Sequence, residues 1–177
     1  MSADAPDPLF RRMSADGAAW LGRLEGGLKL RAYRDVVNVW TLSAGVTCYP
    51  DGRRVCEGDE CSPGEALSLF CDVLSRYEQC VDSVARPTIS RAQFEALVAF
   101  CYNEGEPRFK TSTLLKYVNA DVPLPRIRQQ FLRWTLADTD PNHPGLEHSP
   151  GLQRRRLCEW ELYSRGVYLT QGQVKDG

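Results

Sequence analysis

The sequence of 177 residues lacks long apolar runs, is poor in histidine and carries almost no net charge. No stretch approaches the roughly 18 apolar residues of a membrane-spanning helix, so we expect no membrane insertion. The net charge of −1 provides no general attraction to nucleic acid, so we expect no nucleic-acid partner. The N-terminus has neither the basic start nor the apolar core of a secretion signal, so we expect synthesis in a cytoplasm without export.

Metal-ligating histidines are scarce, whereas cysteine is plentiful. The two histidines, His143 and His148, stand at no recognisable ligand spacing from the cysteines, so we expect no zinc site. Seven cysteines cannot all pair within one chain. Cys101 lies on an apolar helix face, as a small buried hydrophobe would. Cys56 and Cys61 can pair across a turn, but a reducing cytoplasm would delay such a disulfide until the protein is released.

Local sequence signals predict an α+β protein that is mainly helical, with a small antiparallel sheet near its N-terminus. Ser14 can cap a first helix, which Gly26 and Gly27 would end. Residues 29–44 have strand character on both sides of Asn38, a residue that tolerates the left-handed conformation of a turn. The helix is therefore predicted to lead directly into a β-hairpin.

Helices are predicted for most of the remaining chain. The segment from Ser62 to Glu65 is a capping box with proline at the first helical position, and apolar residues continue at helical spacing to Val84. This long amphipathic helix can join two lobes. Further helices are predicted at caps or starts provided by Ser90, Thr111, Pro125 and Ser149. Residues 137–148 are rich in breakers and predict a loop.

These elements predict a single two-lobed domain between two short tails. The N-terminal lobe would cover residues 14–62, the connecting helix residues 63–84 and the helical C-terminal lobe residues 88–168. Residues 1–13 are expected to form a flexible tail, and residues 169–177 a second one.

Three polar residues near the N-terminus, Glu25, Asp35 and Thr41, form a set that can cleave a glycosidic bond. One carboxylic acid can protonate the leaving oxygen, while the other carboxylate and the hydroxyl hold a water on the opposite face. Each residue alone has a simpler explanation, as a helix end, a turn former and a strand residue. A helix followed directly by a hairpin folds back, however, so Glu25 and the hairpin turn can face a common cleft.

The same segment resembles the catalytic segment of the phage lysozymes, the endolysin muramidases. The residues that carry the resemblance are Glu25-Gly26, Ala32-Tyr33, Asp35 and Trp40-Thr41. Four later segments are similar to further elements of that family: Gln93–Gly105, Phe109–Leu115, Gln130–Trp134 and Gly151–Arg156. One short motif would be a weak signal, whereas five in the right order are specific.

The resemblance implies a lysozyme-like fold and an enzyme that hydrolyses the β-1,4 bond between N-acetylmuramic acid and N-acetylglucosamine in bacterial peptidoglycan. It implies Glu25 as the general acid, Asp35 as the carboxylate that activates water, and Thr41 as its partner in positioning that water. Inversion at the anomeric carbon is expected, without a metal or other cofactor. The biological role implied is host lysis at the end of a phage cycle.

The resemblance also suggests supporting residues and a setting for the reaction. Arg155 is the best match to an arginine that the family has near its catalytic glutamate, and Tyr102 and Phe109 are candidates for stacking on sugar rings. The enzyme is expected to be a monomer in the host cytoplasm. A separate membrane-permeabilising protein of the holin type would release it to the cell wall.

Two departures from the family pattern keep alternatives open. The spacing from Glu25 to Asp35 is one residue longer than usual, with the extra residue at Gly26 or Gly27, and Leu42–Val46 replaces the usual Ile-Gly-Tyr-Gly-His. One alternative is a lytic transglycosylase, which needs the glutamate but not an activated water. The other is a non-catalytic peptidoglycan-binding protein on the same fold.

Overall fold

The computed structural model describes residues 10–35, 38–138 and 146–174, and it confirms a two-lobed, mainly helical α+β fold. A two-stranded sheet lies in the N-terminal lobe, and helices build the C-terminal lobe. The described helices are α1 (Ala15–Leu24), α2 (Pro63–Val84), α3 (Arg91–Glu104), α4 (Glu106–Thr111), α5 (Thr113–Asn119), α6 (Leu124–Leu132) and α7 (Pro150–Arg165). The strands are β1 (Lys29–Arg34), β2 (Trp40–Ser43), β3 (Leu136–Asp138) and β4 (Leu146–His148).

The hairpin of β1 and β2 forms the centre of the N-terminal lobe. Its strands are antiparallel, and Tyr33 lies opposite Thr41. The backbone N–H of Asp35 donates to the carbonyl of Val39 at 3.0 Å, which closes the end of the hairpin. Asn38 has a φ of 63°, so the left-handed turn residue is where the sequence predicts it.

Helix α2 joins the two lobes, as predicted. Ser62 and Glu65 exchange both hydrogen bonds of the capping box. The helix packs against β1 and β2 in one lobe and against α3 and α4 in the other. The buried hydroxyl of Ser43 donates to the carbonyl of Ala66 at 2.7 Å, which ties the sheet to the first turn of α2. Neither α2 nor any other described helix is long and apolar enough to cross a membrane.

Helix α3 lies at the centre of the helical lobe. Every residue of Phe94–Cys101 is buried, and only one of them is charged. A helix that is apolar on nearly all sides must be covered on all sides, and α2 and α7 pack against it. The ring of Phe100 contacts the rings of Phe109, Phe131 and Trp134.

The boundary between α4 and α5 differs from the prediction. Thr111 does not cap the second of these helices. It ends α4, which the sequence did not predict, and its hydroxyl donates to the carbonyl of Pro107 at 3.0 Å. Ser112 caps α5 instead, because its hydroxyl accepts the N–H of Leu115 at 3.0 Å. Two adjacent hydroxyl residues both suit a cap, and packing of the short helix α4 decides between them.

The predicted loop over residues 137–148 contains parts of a second hairpin. Strands β3 and β4 are antiparallel, with Leu136 opposite His148. The loop prediction was therefore wrong at its ends, and residues 139–145 lie outside the described residues. Strands of three residues are too short to show the alternation of apolar and polar side chains that identifies a strand.

Segments next to the chain ends contact the domain. The Nε of Arg12 lies 2.6 Å from Oε2 of Glu78 on α2. The indole N–H of Trp20 donates to the carbonyl of Leu169 at 2.7 Å. The exact limits of the tails and of the domain stay a prediction, since the outer parts of both predicted tails lie outside the described residues.

All seven cysteines fall within the described residues as free thiols. Cys101 is fully buried, as predicted, and its Sγ lies 3.8 Å from Sγ of Cys80. Cys56 and Cys61 are not bonded to each other. Their pairing after release therefore stays a hypothesis.

Candidate active site

Glu25 stands at the C-terminal cap of α1, where the chain turns toward β1. Gly26 and Gly27 follow with φ of 84° and 88°, values that glycine tolerates far better than other residues. Their N–H groups donate to the carbonyls of Arg23 and Gly22 at 3.1 and 2.9 Å, which is the pattern of a Schellman motif. The extra glycine is thus part of the helix stop, and the carboxylate remains at the end of α1.

Gly26→Ala is expected to lower the free energy of unfolding by about 1 kcal/mol, because an L side chain is strained at this φ. Nothing lies within 4 Å of the added Cβ, so sterics with other residues do not contribute. Gly64→Ala is the matched control, since its Cβ also meets nothing but the residue lies in the first turn of α2. Urea denaturation followed by circular dichroism measures both, and equal losses would contradict a cost due to φ.

Arg155 reaches Glu25 from α7 in the helical lobe. Its Nη1 lies 2.6 Å from Oε1 of Glu25, and the side chains are 6% and 23% exposed respectively. The contact is an ion pair rather than a well-aligned hydrogen bond. Burial opposes the charge of Arg155, but Glu159 and Glu25 more than offset this, so the pKa of Arg155 is above its ordinary value. A permanent cation therefore lies against the predicted acid.

Asp35 and Thr41 are held at the turn end of the hairpin by the same residue. Oδ1 of Asp35 accepts the N–H of Val39 at 2.8 Å. Thr41 is only 2% exposed, and its hydroxyl donates to the carbonyl of Val39 at 3.0 Å. The two side chains are thus fixed relative to each other. Because the Thr41 proton is used in this way, its oxygen keeps lone pairs that can accept a hydrogen bond from water.

The pKa of Tyr33 responds to the charges of both carboxylates. Burial raises the pKa of Tyr33 first, and the negative charges of Asp35 and Glu25 raise it further, against a hydrogen bond from the N–H of Gly45. No role was predicted for Tyr33 from the sequence, although it belongs to the segment that carries the family resemblance.

The two aromatic residues predicted to stack on sugars occupy different places. Tyr102 is half-buried at the end of α3 and donates its hydroxyl to the carbonyl of Ala44 at 3.1 Å, across the two lobes. Burial raises the pKa of Tyr102, and the charge of Glu25 raises it further. Phe109 has no exposed surface and packs against Phe100 in the core. The stacking prediction for Phe109 is therefore wrong, because its ring offers no face to a sugar.

Ala44 and Val46 stand where the family resemblance leads to an expectation of tyrosine and histidine. Both are buried, with 7% and 2% of their surface exposed. Val46 packs with Leu42 and Val55 in the small core of the hairpin lobe. Valine at position 46, where the resemblance leads to an expectation of histidine, therefore contributes to the apolar packing of this lobe.

Two buried charges behind Arg155 were missed by the sequence analysis. Glu159 and Arg156 both have no exposed surface. Nε of Arg155 donates to Oε1 of Glu159 at 3.0 Å, and Nη1 of Arg156 donates to Oε2 at 2.5 Å. Glu159 follows the two arginines by four and three positions on α7, spacings that place all three on one helix face. Opposite charges at this spacing are a sequence signal for ion pairs on a helix, but the same spacing also occurs on exposed helix faces.

The described residues contain no group of three or more histidine, cysteine, aspartate or glutamate side chains that could hold a metal ion. What they bring together is a carboxylate paired with a buried arginine, and a second carboxylate fixed next to a hydroxyl. Such a pair of carboxylates at a cleft between two lobes can hydrolyse a glycosidic bond by general acid–base catalysis. The fold and the site thus define a two-lobed glycoside hydrolase of the lysozyme type.

Comparison with known proteins identifies the family. The family model described as phage lysozyme matches residues 23–159, and the chain belongs to this family. It is 31% identical over 140 residues to an endolysin of Bacillus phage B103, covering 79% of this chain and 49% of the relative, so it spans about half of that relative's length. It is 29% identical over 131 residues to an endolysin of Salmonella phage P22, covering 74% and 88%.

A solved structure supports the same assignment. The endolysin from Escherichia coli O157:H7 phage FAHEc1 superimposes with a TM-score of 0.78 at 25% identity, covering 90% of this chain and 98% of that one. The chain is therefore a lysozyme-type glycoside hydrolase, a class of enzymes that cleaves peptidoglycan.

Proposed function

We propose that this lysozyme is an endolysin that hydrolyses the β-1,4 bond between N-acetylmuramic acid and N-acetylglucosamine in bacterial peptidoglycan. The observation that carries the proposal is the ion pair that joins Glu25, at the C-terminal cap of α1, to Arg155 of the helical lobe. Arg155 contacts the carboxylate of Glu25. The carboxylate of Asp35 and the hydroxyl of Thr41 both hydrogen-bond to the backbone of Val39.

Glu25 is the general acid that protonates the leaving oxygen. Its side chain is 23% exposed, which leaves it accessible to a sugar while most of it is shielded from water. After the proton has left, the guanidinium of Arg155 stabilises the resulting carboxylate at a distance of 2.6 Å. Tyr102, whose hydroxyl donates to the carbonyl of Ala44 across the two lobes, is the candidate for stacking on a sugar ring.

Asp35 is the general base, and Thr41 orients the water that attacks. Because both side chains are fixed to Val39, a water that bonds both of them is held in one place. Attack by this water on the face opposite to the leaving group inverts the anomeric carbon. These steps require only side chains and water, without a metal or other cofactor.

The enzyme acts as a monomer on the wall of the bacterial host. It stays in the host cytoplasm until a holin-type protein permeabilises the membrane, and it then reaches the peptidoglycan at lysis. The relatives in phages B103 and P22 carry the name endolysin, which supports this setting.

Asp35→Asn is expected to lower the release of reducing ends from purified peptidoglycan by about 10²–10⁴-fold, because an amide cannot take a proton from water. Mass spectrometry of the products identifies the reaction. Reducing muramic ends from the wild type that disappear in the variant support hydrolysis with Asp35 as the base. Products ending in 1,6-anhydromuramic acid that persist in the variant would instead identify a lytic transglycosylase, and wall binding without cleavage would identify a non-catalytic protein.

Asp51→Asn is the matched control for this variant. Asp51 also lies in a turn of the N-terminal lobe, and its Oδ1 accepts the N–H of Arg53 at 2.9 Å. The substitution removes the same charge from a comparable turn. Its activity is expected to equal that of the wild type, so a similar loss in both variants would point to a damaged lobe rather than a lost base.

A further inference from the structure

Glu25 is the first member of a row of alternating charges that runs from the cleft into the helical lobe. The members of this charge row are, in order, Glu25, Arg155, Glu159, Arg156 and Glu104. Successive members are 2.6, 3.0, 2.5 and 2.9 Å apart. The inner members lie on α7 and on the end of α3, two helices that pack against each other in the lobe.

Glu159 is the central member of the charge row and is fully enclosed. It has no exposed surface, and each of its carboxylate oxygens accepts from a different arginine. Arg156 is also fully buried and is held separately by the carbonyl of Trp134 and by Glu104. A carboxylate so far from water is costly unless it is paired, and here one carboxylate serves two buried cations.

Arg155 is held at three points, and Glu159 provides one of them. Its Nε donates to Glu159, its Nη2 donates to the carbonyl of Ala99 at 3.3 Å, and its Nη1 faces Glu25. A guanidinium is planar, so bonds at Nε and Nη2 determine the direction in which Nη1 points. The orientation of Arg155 toward the acid therefore depends on Glu159, which itself does not contact Glu25.

We propose that Glu159 is a positioning residue for the reaction: it holds Arg155 against Glu25 and, through its own negative charge, limits how strongly Arg155 opposes protonation of the acid. This inference rests on the proposed role of Glu25 as general acid. A cation beside a carboxyl group disfavours its protonated form, whereas a carboxylate on the same cation partly cancels that effect. The acid can then carry its proton before the reaction and still find Arg155 in place afterwards.

The tyrosines and the thiol around the charge row are neutral near neutral pH. Burial raises the pKa of Tyr33 on β1, Tyr77 on α2 and Tyr102 on α3, and the charge of Glu25 raises each of them further. The charge of Asp35, on the hairpin, also acts on Tyr33. Next to Glu159, burial raises the pKa of the Cys158 thiol to about 12. Arg155 contacts Glu25 and Glu159 contacts Arg155, so these are the two charges of the helical lobe that act on the acid.

The test compares Glu159→Gln and Glu159→Asp with the wild type in reducing-end release from purified peptidoglycan as a function of pH. In Glu159→Gln the alkaline limb of the profile is expected to move to lower pH by about one unit, with a loss of about tenfold in kcat near neutral pH, little change in KM and recovery at lower pH. Glu159→Asp keeps the charge but shortens the side chain, so a smaller shift in the same direction is expected. An alkaline limb that stays in place, or moves to higher pH, in both variants overturns the proposal.

Glu161→Gln is the matched control, because Glu161 lies on the same helix and pairs with Arg165 at the surface. The same charge is lost there, and the profile is expected to stay where it is. A shift as large as that of Glu159→Gln would show a general effect of net charge and would overturn the proposal.

A second measurement does not depend on cleavage or on the folding of Glu159→Gln. In the wild type, the Nε–H of Arg155 is expected to give a ¹⁵N-resolved NMR signal that exchanges slowly with water, and in Glu159→Asp this protection is expected to fall. A rapidly exchanging signal in the wild type overturns the proposal. If Glu25→Gln cleaves peptidoglycan like the wild type, the proposed function fails, and this signal still decides whether Glu159 holds Arg155.

Discussion

Glu25→Gln is expected to lower the release of reducing ends at least about 100-fold while the protein keeps its fold, because glutamine retains the shape of the side chain but cannot donate a carboxylic proton. Arg155 loses one partner but keeps Glu159 and the carbonyl of Ala99. Since Glu25 is partly exposed, the loss of the pair should cost at most about 1 kcal/mol of unfolding free energy. Reducing-end assays and thermal melting followed by circular dichroism measure the two quantities on the same samples.

The surface variant Glu161→Gln serves as the control here as well. Its side chain is also 23% exposed and pairs with an arginine, Arg165, at 3.0 Å. Loss of that charge should change neither activity nor melting temperature appreciably. If Glu25→Gln retained more than a few per cent of wild-type activity, the assignment of the acid would be wrong.

Phe100→Ala is expected to produce the largest loss of stability, about 3–5 kcal/mol in the free energy of unfolding. Phe100 is fully buried, and its ring lies 5.4–6.3 Å, centroid to centroid, from those of Phe109, Phe131 and Trp134. The guanidinium carbon of Arg156 also lies 4.7 Å from the centroid of the Phe100 ring, so the substitution removes the ring that packs on this member of the charge row. For a domain of this size, the melting temperature should fall by roughly 6–20 °C.

Leu124→Ala is the control for this core variant. Leu124 is a large apolar residue at the start of α6, but it is 45% exposed. Truncation there creates no cavity, and the cost should stay near 0.5 kcal/mol. Similar melting temperatures for the two variants would contradict the central place of Phe100 in the core.

Much of the helical framework could be predicted because its signals are local. The capping box at Ser62 and the apolar spacing that follows predict α2 up to Val84, and the structure confirms both ends. Prediction failed where neighbouring segments compete or are very short. Both Thr111 and Ser112 are suitable caps, and β3 and β4 exist only because each provides a partner for the other.

Some residues of the candidate site could likewise be predicted from local sequence signals, and others could not. Glu25, Asp35 and Thr41 lie within 17 residues of one another, so a helix stop and a hairpin were enough to propose them as one site. Arg155 was chosen by family resemblance, since no local pattern connects it with Glu25. Glu159 was not chosen at all, because its importance comes from burial, and the spacing of charges on a helix does not reveal which face is covered.

The sequence by itself determined the helix stops, the turn at Asn38, the long joining helix and the identity of the family, because each of these depends on residues that are close together in the chain. Only the tertiary structure decided which side chains meet across the two lobes. It placed Phe109 in the core rather than at the cleft, and it set Arg155 between Glu25 and Glu159. Contacts of this kind depend on how α7 packs against α3, and that packing follows from the shape of the whole core rather than from any short segment.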